Sequence, residues 1–282
     1  MRIFRSYTAR IIIVNILVYI AFSITASFIG EIKLLDLFAL QPYKIIHGEN
    51  LWTIFTSIFM HANLFHLFVN MFSLFFLGKR LFNYTIIKTG GLEDIIGKKR
   101  FLIFYLASGI FASILFSVLS GYFGYGYFGE NIFGSSKIIG VGASGAIFGL
   151  LGLLAIIMPK KKVFLIAGPL IALIIEAILS SFLSPAINGV LSLIISIYII
   201  FSIFAMFNPK LSAFSIPLAL SFWALPIVAI IPLILIDLIP GINLPIGNMA
   251  HLGGLIAGLV YGFYLKKRYP NKTNMIAQIF SK

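Results

Sequence analysis

The amino-acid sequence predicts an all-α fold, a polytopic bundle of about eight transmembrane helices forming one integral membrane domain over residues 1–282. Three observations carry that prediction. Hydrophobic residues make up 60% of the chain and charged residues 10%, with mean hydropathy +1.07, whereas soluble domains carry roughly a quarter charged residues. Apolar runs close to the ~20 residues that cross a hydrocarbon core recur along the whole length. Lys and Arg sit in short clusters between those runs, as the positive-inside rule requires. The net charge of +13 therefore follows from topology and points to no nucleic acid, because basic and aromatic residues form no interleaved surface. With no cysteine in the chain, disulfides, thiolate catalysis and Cys-ligated zinc are excluded.

The elements follow in order. Arg2, Arg5 and Arg10 precede the first apolar run, 11–29, which is long enough to span and lacks a small-residue cleavage site, so it is read as a retained helix. Residues 30–52 mix Glu31, Lys33, Asp36, Lys44, His47 and Glu49 with apolar residues and read as a loop dipping into the outer interface. The second helix, 53–78, carries His61, Asn63, His66 and Asn70 inside an apolar setting. Such groups cost free energy in a membrane unless partnered, and they line a site by default. His66 and Asn70 are one turn apart on one face, with His61 above them near the helix mouth.

A basic insert at 79–100 precedes the third helix, 101–120, and a Gly- and Tyr-rich outer loop follows. The fourth helix, 142–158, ends at Pro159 and three lysines. Runs at 163–183, 186–207 and 211–238, separated by Ser184-Pro185 and Asn208-Pro209, read as three further helices. Asp237, Pro240, Gly241 and Asn243 form a loop before the last helix, which starts near Gly247 and carries His251 with Gly254, Gly258 and Gly262 at four-residue intervals. That stripe permits close helix approach.

With a cytoplasmic start, this arrangement puts 18 basic residues inside and only Lys33, Lys44 and Lys137 outside. Both termini are then cytoplasmic, in a multi-pass protein of the cell membrane. Because an odd number of helices separates them, Ser144 and His251 both fall at the outer ends of their helices.

The stretch 140–149, Gly-Val-Gly-Ala-Ser-Gly-Ala-Ile-Phe-Gly, sets a hydroxyl among small residues at the start of a helix. Small-xxx-small spacing such as Gly145 to Gly149 is ordinary packing code, so the stretch alone does not specify chemistry. Its company does. Serine becomes a nucleophile when a base takes its proton, and histidine suits that role near neutrality. The resulting oxyanion needs preplaced donors. Ser144 as nucleophile, His251 as general base, and His66, Asn70 and the Ser144 backbone N–H as oxyanion donors supply each part at a common depth. Phe148, one turn below Ser144, is placed to pack on the imidazole, and the stripe from Gly254 allows the two helices to meet. No acid is placed to orient His251, so the constellation is a dyad.

His61-x4-His66-x3-Asn70, Gly142-x-Ser144-Gly145 and His251-x2-Gly254, in that order on three apolar helices, resemble the rhomboid family of intramembrane serine proteases. The resemblance covers roughly residues 48–267. It implies cleavage of transmembrane protein substrates near the outer end of their helices, within the lipid bilayer and with no metal or cofactor. It assigns Ser144 and His251 to the dyad, His66 and Asn70 to the oxyanion, and His61 to shaping the loop above. The chain departs from the family pattern in three places. Trp52-Thr53 stands where many members have Trp-Arg; three runs in 163–238, rather than one, separate the serine and histidine helices, so a helix pair is inserted there; and 83–97 is an added cytoplasmic segment. Two other readings are a proteolytically inactive client-binding relative and a transporter, the latter suggested by the extra helices and by Glu176 inside an apolar run. A metal site on the histidines lacks the acid or cysteine and the HExxH spacing it would need.

Overall fold

The computed structural model describes residues 6–79, 82–85, 88–180, 182–205, 208, 210–237 and 247–279. They form two compact units, one of residues 1–157 and 247–274, the other of 158–246 and 275–282.

The first unit opens with α1, Tyr7–Ile29, whose N-terminus is capped by the Ser6 hydroxyl accepting from the Ala9 N–H. Next come two short helices, α2, Glu31–Phe38, and α3, Pro42–Ile46, where a loop was expected. Side-chain contacts tie the segment together. Lys44 pairs with Asp36, the Asn50 amide donates to the Asp36 carbonyl at 2.9 Å, and the Trp52 indole donates to the Leu37 carbonyl at 2.7 Å. These side chains bond exposed backbone carbonyls of α2 and so tie the segment after α3 back to it.

The helix expected over 53–78 is broken. A short α4, Thr53–Thr56, and a 3-10 turn, Ser57–Phe59, are bent by 89° from α5, Leu64–Lys79. The break has a local cause: the Asn63 carboxamide accepts from the His66 N–H at 2.7 Å, capping α5 and ending continuity with the preceding turn. Strands β1, Phe82–Thr85, and β2, Lys88–Gly90, then pair antiparallel and lead to α6, Leu92–Ile96, within the predicted insert.

Glu93 of α6 is fully buried. It accepts from the hydroxyls of Ser6 and Thr8 at 2.6 and 2.7 Å and from the N–H groups of Tyr7 and Thr8, both at 3.1 Å, with Lys79 at 3.7 Å. A carboxylate thus closes the positive end of α1 from 85 residues away. Burial alone would push its carboxyl up, but the bonds from Ser6 and Thr8, with the charge of Lys79, hold it below the usual range. Because the folded-state value is depressed, the contribution is present above the unfolded value and lost as pH falls through the folded one. Glu93→Gln is expected to cost about 1–3 kcal/mol. Melting in detergent across acid pH checks this: the wild type should lose stability on acidification more steeply than the variant.

α7, Lys98–Phe123, buries a stripe of small and aromatic residues. α8, Gly126–Phe133, follows, and then α9, Ser144–Ile157. The last helices are α13, Asn248–Arg268, and α14, Pro270–Ile279. α9 and α13 run parallel: a Cβ on Gly254 would lie 1.8 Å from the Gly145 carbonyl oxygen, and one on Gly258 2.1 Å from that of Gly149. Their N-terminal ends therefore share a level.

In the second unit, two of the three helices expected in 163–238 are shorter than predicted. Strand β3, Lys162–Ile166, precedes α10, Ala167–Ser180; α11 runs Pro185–Ala205; a 3-10 turn, Ser212–Ser215, and strand β4, Pro217–Ser221, precede α12, Leu225–Asp237. β3 and β4 pair antiparallel. A short apolar run fits a strand as well as a helix, and Pro217 and the left-handed Ile216 at φ 46 stop helix formation there. Of the predicted loop, Asp237 instead ends α12, and Pro240, Gly241 and Asn243 lie outside the described residues. Glu176 accepts from the hydroxyl of Ser192, joining α10 to α11.

The fold is an all-α polytopic bundle; among the described residues three helices, α1, α7 and α11, are by length and composition apolar enough to span, or four with the bent pair. α9 has only 14 residues, about 21 Å at 1.5 Å per residue, less than a hydrocarbon core of about 30 Å.

Candidate active site

The first residue of α9 is Ser144. Its Oγ lies 2.9 Å from Nε2 of His251, which sits in the first turn of α13. Two residues 107 positions apart meet because the glycine stripe lets the helix backbones touch. The His251 ring stacks on Phe148 with centroids 4.2 Å apart and planes 10° off parallel, which fixes the imidazole. Its Nδ1 is buried and has no hydrogen-bond partner among the described residues, so the ring is oriented by packing and by Ser144.

His66 and Asn70 share one face of α5. The Asn70 Nδ2 donates to the His66 carbonyl at 3.0 Å and retains a second hydrogen. Gly142 brings this face to the serine. At φ +127 it adopts a backbone that side chains disfavour, and a Cβ there would lie 2.8 Å from the His66 ring and 3.7 Å from Asn70 Nδ2. Its N–H donates to the Ser57 carbonyl at 2.9 Å, anchoring the serine loop to the 3-10 turn. His61, 4% exposed, stands edge-on to His66 with centroids 5.1 Å apart.

All eight predicted residues thus gather at one end of the first unit. Ser57 has no place in the sequence-based expectation, and Asn63 takes a different role from the one expected inside a continuous helix. Ser57 acts through its carbonyl, which no side-chain pattern reveals; Asn63 acts as a cap, legible as an amide just before an apolar periodic run. No group of three His, Cys, Asp or Glu among the described residues could hold a metal ion.

The first three N–H groups of α9 precede its first internal hydrogen bonds, and Ile147 is the first to donate, to Ala143 at 3.1 Å. A hydroxyl bonded to an imidazole therefore stands beside backbone donors that have no partner among the described residues, and beside two polar side chains. Fold and site together define an integral, multi-pass membrane protein with a serine–histidine pair at the ends of two packed helices. The Rhomboid domain family model matches residues 48–224 and 170–268, and the chain belongs to the rhomboid family. It is 35% identical over 114 residues to RHOMBOID-like protein 1 of Arabidopsis thaliana, covering 40% of this chain and 23% of that protein. It is 30% identical over 161 residues to Rhomboid protease GluP of Bacillus subtilis, covering 57% of this chain and 26% of that protein. It is 32% identical over 147 residues to Rhomboid protease AarA of Providencia stuartii, covering 51% and 47%. The chain thus spans less than half the length of each of these relatives.

Proposed function

We propose that this protein is an intramembrane serine endopeptidase that hydrolyses peptide bonds in or near transmembrane segments of other membrane proteins. The observation that carries the reading is the 2.9 Å bond between Ser144 Oγ and His251 Nε2. In the first half-reaction Ser144 Oγ attacks the scissile carbonyl carbon while His251 Nε2 takes the hydroxyl proton. The carbonyl oxygen becomes an oxyanion held by Asn70 Nδ2, the His66 ring N–H and the Ser144 backbone N–H. Collapse breaks the C–N bond, and His251 returns the proton to the leaving amine. In the second half-reaction water attacks the acyl ester, with His251 taking its proton and then giving one back to Ser144.

The short α9 supports a site sunk below the membrane surface, since a helix of 14 residues does not fill a hydrocarbon core. The 18-to-3 charge asymmetry supports a site near the external face with both termini cytoplasmic.

The test is cleavage of a reporter transmembrane helix by the purified protein in liposomes. Product from the wild type and none from His251→Ala supports the proposal; equal product from both removes it, and no product from the wild type favours the inactive client-binding relative or the transporter. A finer expectation concerns the oxyanion donor: Asn70→Ala should lower kcat about 10²–10³-fold and leave KM nearly unchanged. A rise in KM alone would place Asn70 in substrate binding instead.

A further inference from the structure

At the opposite end of α13 from His251 lies a second polar cluster that the dyad does not use. The guanidiniums of Arg100, in the first turn of α7, and Arg268, the last residue of α13, both face the ring of Tyr269, at 5.7 and 5.5 Å from its centroid. Tyr264 extends the aromatic surface, stacking on Tyr261 at 6.1 Å. Among the described residues no carboxylate lies within ion-pair distance of either arginine. The nearby acids of the 79–100 insert are committed elsewhere: Glu93 to α1, and Asp94 to Lys79 and the Gly91 N–H.

Cations in the first turn of a helix oppose its dipole, and α7 opens with Lys98, Lys99 and Arg100 and no acid. Such a first turn is favourable when an anion sits between the charges and the helix end. Beside the cluster, Val260 and Tyr264 stand one turn apart on α13, 64% and 55% exposed, offering an uncovered apolar surface. A guanidinium pair at the end of a membrane helix, with an apolar track beside it, fits an amphiphile with an anionic head.

We propose that Arg100 and Arg268 bind the phosphate of an anionic phospholipid headgroup, with Tyr269 holding the two guanidiniums in place and the acyl chains lying along Val260 and Tyr264. The arginine fork fits phosphate oxygens in pairs, which lysine does not. Because the cluster is at the far end of α13, the site is independent of the protease reading.

The experiment is native mass spectrometry of the full chain in detergent with phosphatidylglycerol or phosphatidylcholine at equal concentration. Wild type should retain phosphatidylglycerol preferentially, and Arg100→Gln with Arg268→Gln should reduce its retention about tenfold. Lys266→Gln with Lys267→Gln, removing equal charge from the same end, should leave retention nearly unchanged. Should the glutamine pair fail to fold, Arg100→Lys with Arg268→Lys keeps the charge and is expected to lose about threefold by giving up the fork. The proposal falls if wild type shows no preference, if both double glutamine variants lose equally, if the lysine pair loses nothing, or if inorganic phosphate at the lipid's concentration displaces it.

Discussion

Ser144→Ala is expected to abolish cleavage of a reporter transmembrane helix, with kcat falling by about 10⁴–10⁶. The hydroxyl is the atom that forms the acyl ester, and no other hydroxyl among the described residues lies within hydrogen-bond distance of His251 Nε2. Losing Oγ removes no packing that holds the helices together, because α9 and α13 meet through their glycines. Melting temperature should therefore stay near that of the wild type. Covalent capture by a fluorophosphonate probe gives the parallel readout: wild type should be labelled at Ser144, and Ser144→Ala should not. Residual cleavage at the wild-type rate would mean that some other group attacks the carbonyl.

The next largest effect is expected from Gly254→Ala, a change of one methyl group. Its Cβ would lie 1.8 Å from the Gly145 carbonyl oxygen and 3.1 Å from the Gly149 nitrogen, so α13 must move away from α9 by more than an ångström. Backbone cannot rotate aside as a flexible side chain can. The move would stretch the 2.9 Å Ser144–His251 bond, and a misplacement of about 1 Å costs roughly 10²-fold in rate. We expect kcat to fall by at least that factor and the melting temperature to drop, measured by turnover and by thermal unfolding in detergent. Gly189→Ala is the control, since a Cβ there meets nothing within 4 Å, and it should change neither. Gly254→Ala with wild-type turnover would show that the helices have slack and that the stripe does not set the dyad distance.

Much of the site was legible because its parts are chemically conspicuous. Histidines and an amide in an apolar run signal a candidate site, and the glycines at 254, 258 and 262 announce close approach, while Gly142 and the role of His61 come only from the family resemblance. The break at 60–63 was not read, although Asn63 carries the capping signal, because the apolar residues on either side have helix periodicity and mask it. The Glu93 latch to α1 joins residues more than 80 positions apart, and no local pattern encodes such a pairing. The strands of the second unit lie in runs whose pattern predicts helix, because a run of apolar residues satisfies both geometries.

By itself the sequence determined the membrane environment, the predominance of helix and the set of polar residues available for chemistry, because transfer free energy and side-chain type depend on composition and spacing alone. Only the tertiary structure decided that α5 starts at a sharp bend, that α9 is too short to span, and that Ser144 and His251 stand 2.9 Å apart rather than merely at one end of the bundle. The reason is physical: a hydrogen bond between distant residues depends on how closely two backbones pack. That closeness is set by the mutual fit of whole helices, which no single stretch of the chain contains.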